Sequence, residues 1–195
     1  ELNKNFFEVI IAEGFDKAAL KLLKIKKNLR LIDTSKLSLN EALRTNSIND
    51  SILIQSEDKI MFSKKDFKIV SKKQPSKQQF DNLIFAFNIC RYVKSNAIVL
   101  ANNMTTIGIG SGQPSRLDSC KIAIDKMNKF VTSKDGIVAA SDAFFPFVDG
   151  IEKLVQSGVA AVIQPSGSIR DKEIIKFANA TNVVLVFSKT RHFRH

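Results

Sequence analysis

Three loops, each directly after a predicted strand, carry residues that a simple connection does not need. They are Gly-Ile-Gly-Ser-Gly-Gln-Pro-Ser-Arg at 108–116, Ser-Asp-Ala-Phe-Phe-Pro-Phe at 141–147 and Pro-Ser-Gly-Ser at 165–168. In a layered α/β domain, ligands bind beyond the carboxyl ends of the strands. The three loops are therefore predicted to lie at the ligand-binding edge of a sheet.

The glycine-rich loop is open to two interpretations. It is typical of a tight strand-to-helix turn, and Arg116 beside a predicted helix N-terminus also suits an anion. A dinucleotide fingerprint would need glycine at Gln113 and an acidic residue closing a following strand, and a phosphate-binding P-loop would need a lysine. The sequence therefore excludes both nucleotide fingerprints but not a simpler anion site.

The aromatic loop places Phe144, Phe145 and Phe147 around Pro146. One or two of these rings are expected in the core, because large aromatic side chains are usually buried. Three aromatics exceed what one turn can bury, so an aromatic wall for a flat heterocycle is the alternative.

The two histidines, His192 and His195, lie in the last five residues. A frayed end is the usual expectation for such a segment. The chain has no C-x-x-C and no H-x-E sequence, which excludes a zinc deaminase site. Apart from these terminal histidines, nothing supports a Ser/His/Asp triad.

The hydrophobic pattern predicts the elements that position these loops. Residues 6–12 and 29–32 are predicted strands around a helix from Asp16, residues 34–50 a loop, 51–55 and 59–62 a hairpin, and 67–70 an edge strand. Ser76 is predicted to cap a helix, and an internal boundary is placed after residue 75. Then follow predicted strands at 97–101 and 105–109, a helix from a capping box of Ser115 and Asp118 to about Phe130, and strands at 136–140, 159–164 and 183–187 with helices at 149–157 and 171–180. The predicted fold is a layered α/β domain with a mixed, largely parallel sheet flanked by helices.

Composition bounds the class of protein. The 195 residues are 44% hydrophobic and 25% charged with a net charge of +11, which is ordinary for a folded chain and attracts phosphates or other polyanions without choosing among them. No apolar run approaches the ~20 residues of a membrane helix, and the first residues lack a signal-peptide pattern, so an intracellular protein is expected. Cys90 and Cys120 are predicted to be reduced core residues.

Five motifs, in order, resemble the C-terminal part of the bifunctional purine-biosynthesis enzymes that combine AICAR transformylase with IMP cyclohydrolase. They are SNAIV at 95–99, GIGSGQPSR at 108–116, SDAFFPF at 141–147, PSGSIRD at 165–171 and RHFRH at 191–195; FFEVIIA at 6–12, KKNLRLI at 26–32 and KKQPS at 72–76 also fit. The resemblance implies a cytidine-deaminase-like fold, with residues 1–75 ending a preceding transformylase subdomain and 76–195 forming the C-terminal one.

The resemblance also implies an activity and its partners. The family transfers a formyl group from its co-substrate 10-formyltetrahydrofolate to AICAR, giving FAICAR, and its cyclohydrolase domain then closes the ring to IMP. It implies AICAR and folate as small-molecule partners, a homodimer with shared active sites, no zinc, no nucleic-acid or membrane partner, and a cytoplasmic location.

Family roles carry over one residue at a time. Asn96 matches the catalytic asparagine, and Ser95 and Asp142 lie where a structural potassium ion is expected. The predicted substrate-binding residues are Arg116, Phe144, Pro146, Phe147, Asp149, Ser168, Arg191, Phe193 and His195.

The chain departs from the family pattern in three ways. It contains no Lys-His dipeptide, which is the family's catalytic pair, it lacks the cyclohydrolase domain, and it has Val148 where many relatives carry a basic residue. Its start just before a predicted core strand favours a fragment, and the missing Lys-His pair predicts that this fragment is inactive by itself. The alternative is a non-catalytic nucleotide- or anion-binding α/β module, supported by the net charge and the glycines near a helix terminus.

Overall fold

The computed structural model describes residues 6–37 and 43–195, and the chain divides into two compact units, residues 1–57 and 58–195. The division falls earlier than the boundary predicted after residue 75. The reason is β5 (Phe67–Ile69), which pairs with the last strand of the second unit. Whether the two units correspond to the family's subdomains stays a prediction.

The first unit begins with the predicted βαβ motif. Strands β1 (Val9–Ala12) and β2 (Arg30–Asp33) pair in parallel, and α1 (Lys17–Leu23) lies between them in sequence. Asp16 caps α1, because its carboxylate accepts a hydrogen bond from the Ala19 amide at 2.6 Å.

A hairpin also occurs in this unit, but not where it was predicted. It joins β3 (Leu43–Ile48) to β4 (Ser51–Ser56), so the expected loop over 34–50 is wrong in its last part, while residues 38–42 lie outside the described residues. The turn is tight, with Asn49 at φ 51°. Most residues of β3 are polar, so this segment lacks the apolar alternation on which strand prediction depends.

Residues 59–62, the other half of the predicted hairpin, are not a strand. Phe62 is instead held on a helix: its amide donates to Oδ1 of Asn88 at 3.0 Å and its carbonyl accepts from Nδ2 at 3.2 Å. The ring of Phe62 is buried.

The second unit alternates strands and helices as predicted. In chain order after β5 they are α2 (Lys77–Cys90), β6 (Ile98–Asn102), β7 (Thr105–Gly110), α3 (Arg116–Phe130), β8 (Val138–Ser141), α4 (Val148–Gln156), β9 (Ala161–Pro165), α5 (Asp171–Ala180) and β10 (Val184–Ser188). The six strands lie in the order β5-β10-β9-β8-β6-β7. The mixed sheet flanked by helices is confirmed, but the expectation that it is largely parallel is wrong. Only the pairs β8–β9 and β9–β10 are parallel, and the other three pairs are antiparallel.

Both faces of this sheet are buried. Along β6, Ile98 and Leu100 belong to one core cluster and Val99 and Ala101 to the other, as the alternation of side chains along a strand requires. Helices α3, α4 and α5 cover the first face and α2 covers the second. Cys120 and Cys90 are free and buried on opposite faces, which confirms them as reduced core residues.

The glycines of β7 serve helix packing. A Cβ atom on Gly108 would lie 2.1 Å from the carbonyl oxygen of Ala123, and one on Gly110 would lie 1.9 Å from that of Ser119. Only glycine allows α3 to approach the strand so closely. The loop's first two glycines therefore position the helix that begins at Arg116.

The two predicted helix caps differ in outcome. The hydroxyl of Ser76 accepts from the Gln79 amide at 3.1 Å, and the Gln79 side chain accepts from the Ser76 amide at 3.0 Å, which completes a capping box. Ser115 makes no side-chain cap bond to α3, so the second capping box is wrong. Its partner Asp118 binds Lys121 at 3.0 Å instead.

Candidate functional site

A cavity of about 470 Å³ opens in the second unit where the segment before β6 and the loops after β7 and β8 meet the C-terminal segment. Eight of the ten predicted site residues line it: Asn96, Arg116, Phe144, Pro146, Phe147, Asp149, Arg191 and Phe193. They come from chain segments that only the sheet topology brings together. The cavity is therefore the candidate site.

A buried ionic cluster forms one wall. The guanidinium of Arg116 contacts the Asp142 carboxylate, and the same Nη1 atom donates to Oγ of Ser141 at 2.8 Å. The side chains of Arg116 and Asp142 are only 8% and 1% exposed. Buried charges of opposite sign compensate each other's loss of hydration, so this pair is a rigid, nearly neutral support.

Asn96 is held on that support by all of its amide atoms. Its Nδ2 donates to the carbonyls of Gln113 at 2.9 Å and Pro114 at 3.0 Å, and its Oδ1 accepts from Nη2 of Arg116 at 2.8 Å. Two facing carbonyls and one facing guanidinium fix which atom is nitrogen and which is oxygen. An amide oxygen has two lone pairs, so Oδ1 can accept one further hydrogen bond from a ligand.

A second part of the cavity lining is aromatic and cationic. The Arg191 guanidinium lies 4.6 Å from the centroid of the Phe144 ring, and the Arg170 guanidinium lies 4.8 Å from that of Phe147. Phe145 is buried in the core, its ring close to Gly150 of α4. All three rings line the cavity, but only Phe145 is also buried in the core, so both interpretations of the aromatic loop hold in part.

The C-terminal segment 191–195, here called the terminal strap, is not frayed. The His192 amide donates to the Asp142 carbonyl at 2.9 Å, and the Ser95 amide donates to the Arg194 carbonyl at 3.0 Å. Phe193 lines the cavity and stacks on His195, with ring centroids 5.9 Å apart. The strap is thus part of the cavity wall.

Ser168 and His195 do not line the cavity themselves. Oγ of Ser168 accepts from the Arg170 amide at 3.1 Å, so it shapes the loop that carries Arg170. Gly167 in the same loop lies beside Arg191, since a Cβ atom there would be 3.5 Å from Nη2 of that residue. His195 reaches the site through its contact with Phe193.

Sequence reasoning did not single out Asp58, Arg170 or the buried position of His192. Nδ1 of His192 lies 2.5 Å from Oδ2 of Asp58, and the imidazole is only 1% exposed. The two residues are 134 positions apart, and no local pattern connects them. Arg170 lies in the PSGSIRD motif, which was the one available signal.

The thiols behind the site are unreactive. Burial raises the pKa of Cys120 to about 12, with a smaller raising effect from Asp149, while Arg116 opposes both. Burial raises the pKa of Cys90 well above its usual value, and Asp142 adds to the rise. Neither side chain is a nucleophile at neutral pH.

The expected potassium position has suitable oxygen atoms. Oγ of Ser95 donates to Oδ2 of Asp142 at 2.6 Å, which places a hydroxyl and a carboxylate oxygen side by side. Hard cations prefer such ligands. Potassium stays a prediction. Within the described residues, no cluster of three or more His, Cys, Asp or Glu that could hold a metal occurs.

Comparison with known proteins identifies the family. The model of the AICARFT/IMPCHase bienzyme matches residues 1–126. The chain belongs to the AICARFT/IMPCHase bienzyme family. It is 43%, 45% and 42% identical to the bifunctional purine biosynthesis protein PurH of Chlorobium phaeobacteroides, Leptospira biflexa and Aquifex aeolicus. These matches cover the whole of this chain and 37–38% of each relative, so the chain spans little more than a third of their length.

One solved structure aligns with part of the chain. The dCMP deaminase of cyanophage S-TIM5 matches with a TM-score of 0.39 and 17% identity, covering 57% of this chain and 98% of that one. Among the described helices of this AICARFT/IMPCHase family member, none is long and apolar enough to cross a membrane.

Proposed function

We propose that this chain supplies the AICAR-binding side of the formyl-transfer site in a purine-biosynthesis enzyme. The observation that supports the proposal is the convergence of eight predicted site residues on one cavity. The volume of this cavity, about 470 Å³, lies within the range of ligand-binding cavities, which begins at about 300 Å³. It is large enough for a nucleotide.

The aromatic and cationic part of the cavity suits both the phosphate and the flat ring of AICAR. The Arg191 guanidinium can donate paired, charge-assisted hydrogen bonds to the phosphate group. The Phe144 and Phe147 rings offer faces to the flat imidazole or to the pterin of the folate. In this proposal 10-formyltetrahydrofolate is the co-substrate.

Asn96 is proposed to orient the attacking amine. Its free lone pair on Oδ1 accepts one N–H of the AICAR 5-amine, which turns the nitrogen lone pair toward the formyl carbon. The new C–N bond forms as the bond from the formyl carbon to N10 of the folate breaks. The amine loses a proton and N10 gains one, so the transfer is balanced without oxidant or reductant.

That proton movement needs a general acid and a general base. Asn96 can serve as neither, because an amide does not titrate. The family's Lys-His pair does not occur in this sequence. A missing proton-transfer group costs about 10²–10⁴-fold in rate. The chain alone is therefore proposed to bind AICAR without detectable formyl transfer, and the complete homodimeric enzyme is proposed to supply the missing groups.

The proposal is tested by calorimetric titration of the chain with AICAR. We expect Arg191→Ala to weaken binding roughly ten- to a hundredfold, as for one lost charge-assisted contact. Lys189→Ala is the matched control, because it removes an equal charge from an exposed position two residues earlier. It should leave the affinity unchanged. Equal binding of AICAR by wild type and Arg191→Ala would contradict the proposal.

The anion-binding alternative is separated by its ligand preference. A general anion module binds inorganic phosphate or AMP as tightly as AICAR. The proposed site prefers AICAR, because Oδ1 of Asn96 accepts a hydrogen bond from the 5-amine. Turnover of AICAR with 10-formyltetrahydrofolate by the purified chain would show that the Lys-His pair is dispensable.

A further inference from the structure

We infer that the Asp58–His192 pair is a positioning device that sets the register of the terminal strap and thereby presents Arg191 and Phe193 to the cavity. The inference rests on the proposed function for the identity of the ligand, but the placement of the strap is a property of the chain itself. His192 touches no part of the cavity, so it acts through its two neighbours.

The burial pattern of the strap carries the first step. Arg191 and Phe193 are exposed and line the cavity, whereas His192 between them is almost completely buried. In extended chain, alternate side chains point to opposite sides. Holding the imidazole in the interior therefore turns both neighbours toward the ligand, and a shift of one residue would bury one of them instead.

The backbone contacts of the strap cannot select that register by themselves. The His192 amide donates to the Asp142 carbonyl, and the Arg194 carbonyl accepts from the Ser95 amide. The Arg194 amide donates to Oγ of Ser95 at 3.3 Å. Every residue except proline offers the same amide and carbonyl. The buried imidazole is the side chain that distinguishes position 192 from its two exposed neighbours.

The imidazole is held at one polar point. Its ring lies against two aromatic rings, with centroids 4.6 Å from that of Phe87 and 5.2 Å from that of Phe62. Nε2 is buried without a hydrogen-bond partner among the described residues. The bond from Nδ1 to Asp58 is thus the polar contact that keeps the ring in this apolar slot.

Asp58 is a fixed anchor. Its other carboxylate oxygen accepts from the Ile60 amide at 3.2 Å. Two residues further on, the backbone of Phe62 is bonded on both sides to Asn88 of α2. Through Asp58 and Phe62, the strap is therefore connected to α2, the helix that covers the second face of the sheet.

The test uses two variants of His192, each of which keeps one property of the imidazole, its ring or its hydrogen-bond donor, and removes the other. His192→Phe keeps an aromatic ring in the slot but has no group to donate to Asp58. His192→Asn keeps a donor near the Nδ1 position but loses the ring. We expect the phenylalanine variant to bind AICAR roughly tenfold more weakly, and the asparagine variant to retain wild-type affinity within about threefold even if its melting temperature falls.

A second measurement needs no ligand. Trypsin cleaves after Arg191 and Arg194 in proportion to the fraction of chains whose strap is open. We expect His192→Phe and Asp58→Ala each to accelerate this cleavage roughly tenfold, the change for one lost hydrogen bond to a charged group. Asp125→Ala, which removes an exposed carboxylate from α3, is the control and should not change it.

The binding and cleavage measurements distinguish a failure of the proposed function from a failure of this inference. If wild type fails to bind AICAR, the proposed function is wrong, and the cleavage rates still decide the role of the pair. Wild-type cleavage rates in both His192→Phe and Asp58→Ala would overturn the inference. Because Asp58→Ala leaves the aromatic slot intact, it provides this test even if the phenylalanine variant does not fold.

Discussion

Arg116 donates from Nη2 to Oδ1 of Asn96 at 2.8 Å, across a separation of 20 residues. The guanidinium also contacts Asp142 and Ser141, so two of its nitrogen atoms are engaged with the protein. Arg116 was predicted to contact the ligand, and it does line the cavity. Its observed contacts make it first of all the support that orients Asn96.

The buried ion pair leads to a prediction about stability. Arg116→Met removes the guanidinium and leaves the Asp142 carboxylate buried without its partner, which should lower the free energy of unfolding by about 3–5 kcal/mol. Lys121→Met breaks the exposed pair with Asp118 and should cost less than about 1 kcal/mol. Denaturant unfolding measures both. Equal losses would mean that Arg116 contributes no more than a surface charge.

The close approach of β7 and α3 leads to a second prediction. Gly110→Ala places a methyl group against the Ser119 carbonyl, and because that atom belongs to the helix backbone, α3 has to move. We expect a loss of about 1–3 kcal/mol in unfolding free energy, with weaker AICAR binding because Arg116 begins this helix. Lys126→Ala on the exposed side of α3 is the control. Unchanged stability in Gly110→Ala would show that the helix is free to shift.

The thiols give a prediction about pH. A folded-state pKa of about 12 for Cys120 lies above the usual value, so the folded state keeps its proton when the unfolded state has lost it. The corresponding stability is complete below about pH 8.5 and is lost as the pH rises toward 12. At about pH 8, a disulfide reagent should modify Cys90 and Cys120 only as fast as the chain opens. Rapid labelling of the native chain, compared with the chain in denaturant, would contradict this.

Hydrogen exchange distinguishes the two boundaries within the chain. The Val70 amide donates to the Leu185 carbonyl at 2.9 Å, so it should exchange as slowly as the amides of the second unit. The strands β1 and β2 form a two-stranded sheet with exposed Val9, Ile11 and Ile32, and they should exchange faster. Mass spectrometry of peptic fragments measures both. Fast exchange through residue 75 would restore the boundary predicted from the sequence.

Much of the second unit could be predicted because its elements are specified locally. The apolar strand at 159–164 and the helix that begins after Ser76 depend on periodicity and on a cap within a few residues. The hairpin at 43–56 was missed because β3 is mostly polar, and no local signal outweighed that composition. The loops of the site were also visible in the sequence, because Phe144, Pro146 and Phe147 follow a strand directly.

The sequence by itself determined which residues are chemically suited to a site and which strands end beside them. Only the tertiary structure decided that Arg116 supports Asn96, that Phe145 packs in the core while Phe144 faces Arg191, and that His192 is anchored on Asp58. Periodicity reports on neighbours three or four positions apart. Hydrogen bonds between residues 20 or 134 positions apart depend on how the sheet is ordered and on which groups remain unpaired in its interior, and neither is encoded in any single segment.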